Sequence, residues 1–218
     1  EIKIGNAKYV TLDDKTACAE SIDWSETTFQ KTVKIEGKEY TVTRLGWVRY
    51  VKNIPDSVTS IGDMCGCSNI TIPDSVTSIG RLSNCSNISI PDSVTSIGEM
   101  VSCSNITIPD SVTSIGSIYS CSNITIPDSV TSIGRLSNCS NISIPDSITM
   151  LNGIYRSTLT IPASVTTIKE ISGEDGILCL RMENATPPVL AKATNLAKDD
   201  VLIVPEGAAE AYKKHSVW

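Results

Sequence analysis

The sequence is poor in the residues from which most globular cores and many catalytic sites are built. Of its 218 residues only one is Phe and only one is His, and aromatic residues make up 5% of the chain. A single core of large rings is therefore not indicated. A Ser-His-Asp or Cys-His site would have to form at His215, which we expect to lie in a C-terminal helix.

Basic clusters and long apolar runs are also missing. The net charge is −6 at pH 7, and no Lys/Arg cluster is long enough to follow a phosphate backbone, which argues against a nucleic-acid partner. No apolar run reaches the roughly 18 residues of a transmembrane helix. The chain starts at Glu1 without Met or a signal peptide, so we expect a mature or trimmed chain.

What the sequence does contain is an internal repeat with a period of 18 residues. Residues 67–80 read Cys-Ser-Asn-Ile-Thr-Ile-Pro-Asp-Ser-Val-Thr-Ser-Ile-Gly, and four less regular residues precede the next cysteine. The Ile-Pro-Asp-Ser part recurs at 54, 72, 90, 108, 126 and 144, and as Ile-Pro-Ala-Ser at 161. A short fixed period predicts a stack of coils rather than a globule around one core.

Each coil is predicted to consist of short strands and a turn. Residues 70–72 alternate apolar and polar side chains as a strand does, Pro73 and Asp74 suit a corner, and residues 76–79 form a second extended run. Apolar residues at position 82 and its equivalents give a third inward side. We therefore predict a mainly β fold, a right-handed parallel β-solenoid of the leucine-rich-repeat kind.

The two ends of the chain depart from the repeat and are predicted to cap the stack. Residues 31–45 alternate on both sides of a Gly turn, which predicts a β-hairpin, and residues 8–12 and 17–22 are weaker strand candidates. Strands are expected at 177–182 and 201–204, and a short helix at 205–215. The predicted organisation is an N-terminal β cap (1–46), a solenoid (47–170) and a C-terminal strand and helix cap (171–218), in one continuous unit.

Two constant columns of the repeat are predicted to be structural. The column cysteines could form a metal or redox stack, but no His or Cys-x-x-Cys motif accompanies them, so buried free thiols are the favoured interpretation. The column asparagines match a glycosylation pattern, yet we expect an inward or corner ladder of amides. The columns are Cys67, Cys85, Cys103, Cys121 and Cys139, and Asn69, Asn87, Asn105, Asn123 and Asn141. The states of Cys18, Cys65 and Cys179 stay open.

The positions that vary between coils are the candidates for ligand contact, because a repeat protein varies only what its scaffold leaves free. They lie one and three residues after the repeat glycine, and Arg and Tyr there are residue types favoured at interfaces. The alternative is that these exposed positions vary between coils without contacting a ligand. The candidate binding residues are Arg81, Glu99, Tyr119, Arg135 and Tyr155.

The repeated Ile-Pro-Asp-Ser-Val-Thr-Ser-Ile-Gly block resembles the BspA-like leucine-rich repeat of bacterial cell-surface and secreted proteins. Residues 37–46, and residues 204–212 followed by Trp218, resemble that family's flanking segments. The family's Ala-Phe pair after Ile-Gly is missing here, so we expect a thinner, all-β coil. The resemblance implies export and attachment to surfaces or host proteins.

We therefore expect a non-enzymatic cell-surface or secreted binding protein, without catalytic residues, metal or cofactor, that recognises a host extracellular protein or glycan through one face of the solenoid. Two alternatives are a polysaccharide-binding or polysaccharide-cleaving β-helix and a structural spacer with no ligand of its own. The sequence leaves the ligand and the oligomeric state open.

Overall fold

The computed structural model describes residues 1–173 and 176–214, which form a parallel β-solenoid of stacked coils. The mainly β fold class predicted from the repeat is confirmed. The elements in chain order are β1 (Ile2–Ile4), β2 (Ala7–Thr11), β3 (Thr16–Ser21), β4 (Thr27–Thr28), β5 (Thr32–Ile35), β6 (Lys38–Arg49), β7 (Val51–Asn53), β8 (Ser60–Cys65), β9 (Ser78–Ser83), β10 (Ser96–Val101), β11 (Ser114–Tyr119), β12 (Ser122–Thr125), β13 (Ser132–Ile133), β14 (Arg135–Ser137), β15 (Ser140–Ser143), β16 (Met150–Leu151), β17 (Gly153–Tyr155), β18 (Thr158–Ile161), β19 (Thr167–Ser172), β20 (Cys179–Met182), β21 (Val189–Thr194), β22 (Val201–Ile203) and α1 (Ala209–Lys214).

Two sheets cover two sides of the stack. The larger has the strand order β1-β2-β3-β6-β8-β9-β10-β11-β14-β17-β19, with β21 paired to β19, and its repeat strands are parallel and offset by one coil. The smaller has the order β12-β15-β18-β20-β22, and single bridges such as Ser68↔Ser86 continue it toward the N-terminus. Each coil therefore adds one strand to each sheet.

The Pro-Asp-Ser-Val turn joins the two sheets and ties each coil to the one before it. The Val76 N–H donates to the Pro73 carbonyl at 3.0 Å, which closes the predicted turn. The Ser75 hydroxyl donates to the Val58 carbonyl of the preceding coil at 2.7 Å, and the same bond recurs in every coil at 2.5–2.9 Å. Each such bond contributes about 1 kcal/mol. This role of the serine was not predicted from the repeat.

The core is a set of stacked apolar rows. Val94, Ile97 and Met100 represent the three inward positions of β10 and its turn, and each is at most 1% exposed. The residues equivalent to Leu82 are buried in every coil, as predicted. Two residues, Gly98 and Glu99, lie between the inward-facing Ile97 and Met100. Glu99 is paired with the neighbouring strands, whereas Gly98 is unpaired and lies against the backbone of the neighbouring coil.

The end segments are continuous with the stack. The predicted hairpin is confirmed as β5 and β6, which pair antiparallel around Glu36 and Gly37, both with positive φ. Strand β3 pairs parallel with β6, and β6 crosses the boundary predicted at residue 46. At the other end β20, β22 and α1 match predicted elements, whereas β21 was not expected. His215 and Trp218 lie outside the described residues.

Candidate binding face

The candidate binding residues lie on the outer side of the larger sheet, which we call the variable face. It consists of two rows that run along the stack, one and three positions after the repeat glycine. The first row includes Trp47, Asp63, Arg81, Glu99, Ser117, Arg135 and Lys192, and the second includes Arg49, Cys65, Ser83, Val101, Tyr119, Ser137, Tyr155 and Thr194. Because the strands are in register, neighbouring members of a row are one strand apart, roughly 4.8 Å.

Charged members of the first row interact with side chains of neighbouring coils. The Arg81 Nε lies 3.6 Å from a carboxylate oxygen of Glu99, and both side chains are almost half exposed. The Arg135 guanidinium lies 5.6 Å from the centre of the Tyr155 ring. Exposed ion pairs of this kind contribute little to stability, about 0–1 kcal/mol. The pairing orders these side chains without removing them from solvent.

Tyr155 is placed differently from the expectation of an exposed contact. Its side chain is only 9% exposed, and its hydroxyl donates to Glu170 at 2.8 Å. Glu170 also accepts bonds from Lys192 at 2.8 Å and Thr194 at 3.5 Å, and the bonds from Lys192 and Tyr155 lower the pKa of the Glu170 carboxyl. Tyr155 thus belongs to a polar network that closes the C-terminal end of the variable face. Tyr119 and Arg135 retain exposed surface.

The cysteine column is buried, and all eight cysteines are free. The thiol of Cys103 donates to the carbonyl of Val101, two residues earlier. The backbone N–H of Cys103 donates to the sulfur of Cys121 at 3.3 Å. Burial raises the pKa of the Cys139 thiol. Within residues 1–173 and 176–214, no group of three or more His, Cys, Asp or Glu residues is placed to hold a metal ion.

The column ends at Ser157, which was not predicted as a member of it. This fully buried hydroxyl accepts the Cys139 N–H at 3.0 Å and donates to the Tyr155 carbonyl at 2.7 Å. It therefore makes the local bond that a column thiol makes in the other coils. Counting one period on from Cys139 would have found it.

The asparagine ladder was predicted wrongly in its main part. All five side chains are exposed, and their residues adopt the left-handed conformation, with φ of 51–54°. Asn is the non-glycine residue that enters this region most readily, which explains its recurrence at the corner. Among the described residues, one amide-to-amide bond joins the column, from Asn141 to Asn123. The backbone conformation, rather than a continuous ladder of amides, accounts for the column.

The smaller sheet bears a shallow groove that is built from constant letters of the repeat. A cavity of about 680 Å³ is lined by residues that include Asn105, Thr107, Asp110, Asn123 and Thr125. Because each coil presents nearly the same groups there, the groove offers little to distinguish one ligand from another. The variation lies on the opposite sheet.

The variable face also includes residues that were not predicted. Trp47 and Arg49 begin its two rows, and Trp24 and Tyr50 lie beside them. Residues 42–46 match half a repeat, so extending the alignment by three residues would have placed Trp47 and Arg49 in the rows. Trp24 comes from a loop outside the repeat, and no repeat pattern points to it.

A sequence profile of the BspA type leucine rich repeat region matches residues 50–172, in six copies. The chain belongs to this family. The match covers more than half of the chain and confirms the resemblance read from the repeat. No curated protein sequence is significantly similar to the chain.

Solved structures of bacterial leucine-rich repeat proteins resemble it at low sequence identity. A leucine-rich repeat protein from Bacteroides ovatus is 17% identical, with a TM-score of 0.46 over 95% of this chain and 79% of that one. A leucine rich cell surface protein from Faecalibacterium prausnitzii is 14% identical, with a TM-score of 0.32 over 100% and 98% of the two chains. The pneumococcal vaccine antigen PcpA is 12% identical, with a TM-score of 0.37 over 99% and 96% of the two chains.

None of the described residues, 1–173 and 176–214, belongs to a helix with the length and hydropathy of a membrane span.

Proposed function

We propose that this protein is a non-enzymatic, cell-surface or secreted binding protein, and that its variable face contacts an extracellular host protein or glycan. One observation carries the proposal: Arg, Glu and Tyr side chains that differ from coil to coil are displayed in two in-register rows of one rigid sheet. The family membership supports it, since the BspA-like resemblance implies export and attachment.

The constant positions of the repeat support the same assignment by having structural roles. The turn serines and the column thiols bond to backbone carbonyls, and the asparagines supply a left-handed corner. The Thr77 hydroxyl likewise donates to the carbonyl of Thr59 in the preceding coil. Such positions cannot change without a cost in stability, so recognition has to use the residues between them.

The test is binding of the purified chain to arrays of extracellular matrix proteins and glycans, followed by variants of the variable face. Arg135→Ser and Tyr119→Ser introduce a residue that the same rows already contain at Ser117 and Ser137, so the scaffold should tolerate them. We expect each to weaken binding about tenfold, equivalent to about 1.4 kcal/mol.

A matched control lies on the smaller sheet. Thr125→Ser likewise introduces a serine into a row that already contains one, at Ser143, and we expect this variant to bind as the original chain does. Turnover of a polysaccharide would contradict a non-enzymatic role. Absence of binding to every array member would favour a structural spacer.

A further inference from the structure

Two exposed tryptophan rings enclose one buried cation at the N-terminal end of the variable face, and a third exposed ring, that of Tyr50, lies beside Trp24. Trp24 is 65% exposed, Trp47 46% and Tyr50 38%, in a chain with few aromatic residues. The guanidinium carbon of Arg49 lies 3.8 Å from the centre of the Trp24 ring and 3.5 Å from that of Trp47. We call these four residues the Trp-Arg cluster.

The cluster is held in place by the backbone around it. The Arg49 N–H donates to the buried hydroxyl of Ser21 at 2.9 Å, and the Thr27 N–H donates to the Tyr50 carbonyl at 3.0 Å. In the loop that carries Trp24, the Asp23 carboxylate accepts the Ser25 N–H at 2.8 Å. The rings and the cation are therefore positioned before any ligand arrives, which reduces the entropy lost on binding.

Arg49 is a buried cation that forms no ion pair among the described residues. The carboxylate that acts on it is that of Asp23: bonds from Ser25 lower the pKa of Asp23, and the charge of Arg49 adds a smaller lowering. Arg49 is 6% exposed, its Nε has no acceptor, and within residues 1–173 and 176–214 its side chain makes no ion pair or hydrogen bond. Exposed lysines such as Lys31 and Lys192 do have carboxylate partners. Burying a charge without an acceptor is costly, and contact with two rings offsets only part of that cost. The guanidinium thus retains unused capacity for an anion.

Tyr50 is a bulky residue at a position that holds a small residue in most other coils. It has a φ of 45°, in the left-handed region, and the equivalent positions Asn84, Ser102 and Asn138 have φ of 51–59° with small polar side chains. A bulky residue in this region strains the backbone and destabilises the folded chain. The next coil makes room for the ring, since a Cβ on Gly66 would lie 2.6 Å from Tyr50 Cε1. The chain therefore keeps a strained backbone that holds a ring beside Trp24.

We infer that the Trp-Arg cluster binds a carboxylated sugar, a uronic or sialic acid, with the carboxylate on Arg49 and the apolar face of the sugar ring against the tryptophans. The exposed ring area is on the order of 300 Å², well below the roughly 800 Å² per partner of a stable protein interface. The patch therefore suits one sugar unit better than a folded protein. This inference rests on the proposed function and names a ligand class for one end of the variable face.

The experiment is a titration of the full chain with glucuronic acid and N-acetylneuraminic acid, in which tryptophan fluorescence is the measured signal. Glucose and N-acetylglucosamine serve as neutral counterparts. We expect a saturable change with the acidic sugars, about tenfold stronger than with the neutral ones. Raising the salt concentration should weaken the acidic sugars selectively, because the contact with Arg49 is ionic.

Variants separate the cluster from the rest of the sheet. Trp24→Ala removes a mostly exposed ring, and Arg49→Gln removes the charge, so each should reduce the affinity for acidic sugars about tenfold or more. Arg44→Gln, an exposed arginine on the same strand, is the control and should bind as the original chain does. Circular dichroism checks that the Arg49 variant is folded, and Trp24→Ala carries the test if it is not.

Several results would overturn the inference. They are equal binding of neutral sugars, no saturable change up to about 50 mM sugar, or tighter binding of a Glu-rich peptide than of either acid. If the original chain binds an array member but binds neither acidic sugar, this inference fails and the proposed function stands. If acidic sugars bind but Arg135→Ser and Tyr119→Ser lose nothing on the arrays, the wider variable face is refuted instead.

Discussion

The glycine after each repeat isoleucine allows neighbouring coils to approach closely, and replacing it by alanine tests how tightly they stack. A Cβ on Gly62 would lie 2.6 Å from the carbonyl oxygen of the preceding glycine. The same distance is 2.2 Å at Gly98, 2.0 Å at Gly116 and 1.6 Å at Gly134. The approach tightens along the stack, so the cost of a methyl group should rise in the same order.

The size of the effect follows from the displacement that each methyl requires. Real Cβ contacts stay at or above 3.0 Å, so the distance from the added Cβ to the neighbouring carbonyl oxygen must increase from 2.0 Å to that value at Gly116, but only from 2.6 Å at Gly62. Overpacking costs about 1–3 kcal/mol, and a separation of about 1 Å also breaks ladder bonds worth about 1 kcal/mol each. We expect losses of about 1 kcal/mol for Gly62→Ala and about 4 kcal/mol for Gly116→Ala.

Thermal unfolding followed by circular dichroism measures this series. At this chain length about 1 kcal/mol corresponds to 2–4 °C, so Tm should fall by about 3 °C for Gly62→Ala and by 10 °C or more for Gly116→Ala. Ser114→Ala, in the same strand and partly exposed, is the control and should stay within about 0.5 kcal/mol. Equal losses at Gly62 and Gly116, or no loss at Gly116, would refute the reasoning.

Asn105→Ala should cost about 1–2 kcal/mol because alanine resists the left-handed conformation, whereas Asn105→Gly should cost less; equal losses in thermal unfolding would indicate that the amide matters instead. Ser157→Ala leaves the Cys139 N–H and the Tyr155 carbonyl without their buried partner, at about 1–3 kcal/mol. Ser157→Cys restores the column and should lose less than half of that by urea unfolding; a larger loss would contradict the column's continuity. Burial raises the pKa of Cys139, so its stabilising effect is full below the unfolded pKa, about 8.5, and declines as pH rises toward the folded value. Urea unfolding between pH 7 and 10 should therefore show that the free energy of unfolding declines less steeply with pH for Cys139→Ala than for the original chain. An equal decline in both chains would contradict this expectation.

The coil architecture could be predicted because its signals are local and repeated. Alternation at Ile70 and Ile72, and Pro73 at a corner, specify which side chains face inward without knowledge of any distant residue. The hairpin at Glu36 and Gly37 is local in the same sense. Repetition then multiplies a weak local signal, since a misread coil would have to be misread in every copy.

The candidate site was less accessible because it depends on what the stack brings together. Tyr155 was expected to be exposed, but the shorter coil at the C-terminal end places it under a network with Glu170 and Lys192. Trp24 reaches Arg49 from a loop 25 residues earlier in the chain, and no pattern joins those two positions. The asparagines were assigned to a ladder because the sequence does not show the positive φ that accounts for their recurrence at the corner.

The 18-residue period, the inward apolar rows, the buried cysteine column and the family can all be read from the amino-acid sequence, because each depends on residue order within one coil and on its repetition. Tertiary structure alone decided which outward residues remain available, because that depends on contacts between coils and with the N-terminal loop. It paired Arg81 with Glu99, buried Tyr155, and placed Arg49 between Trp47 of its own strand and Trp24 of a distant loop.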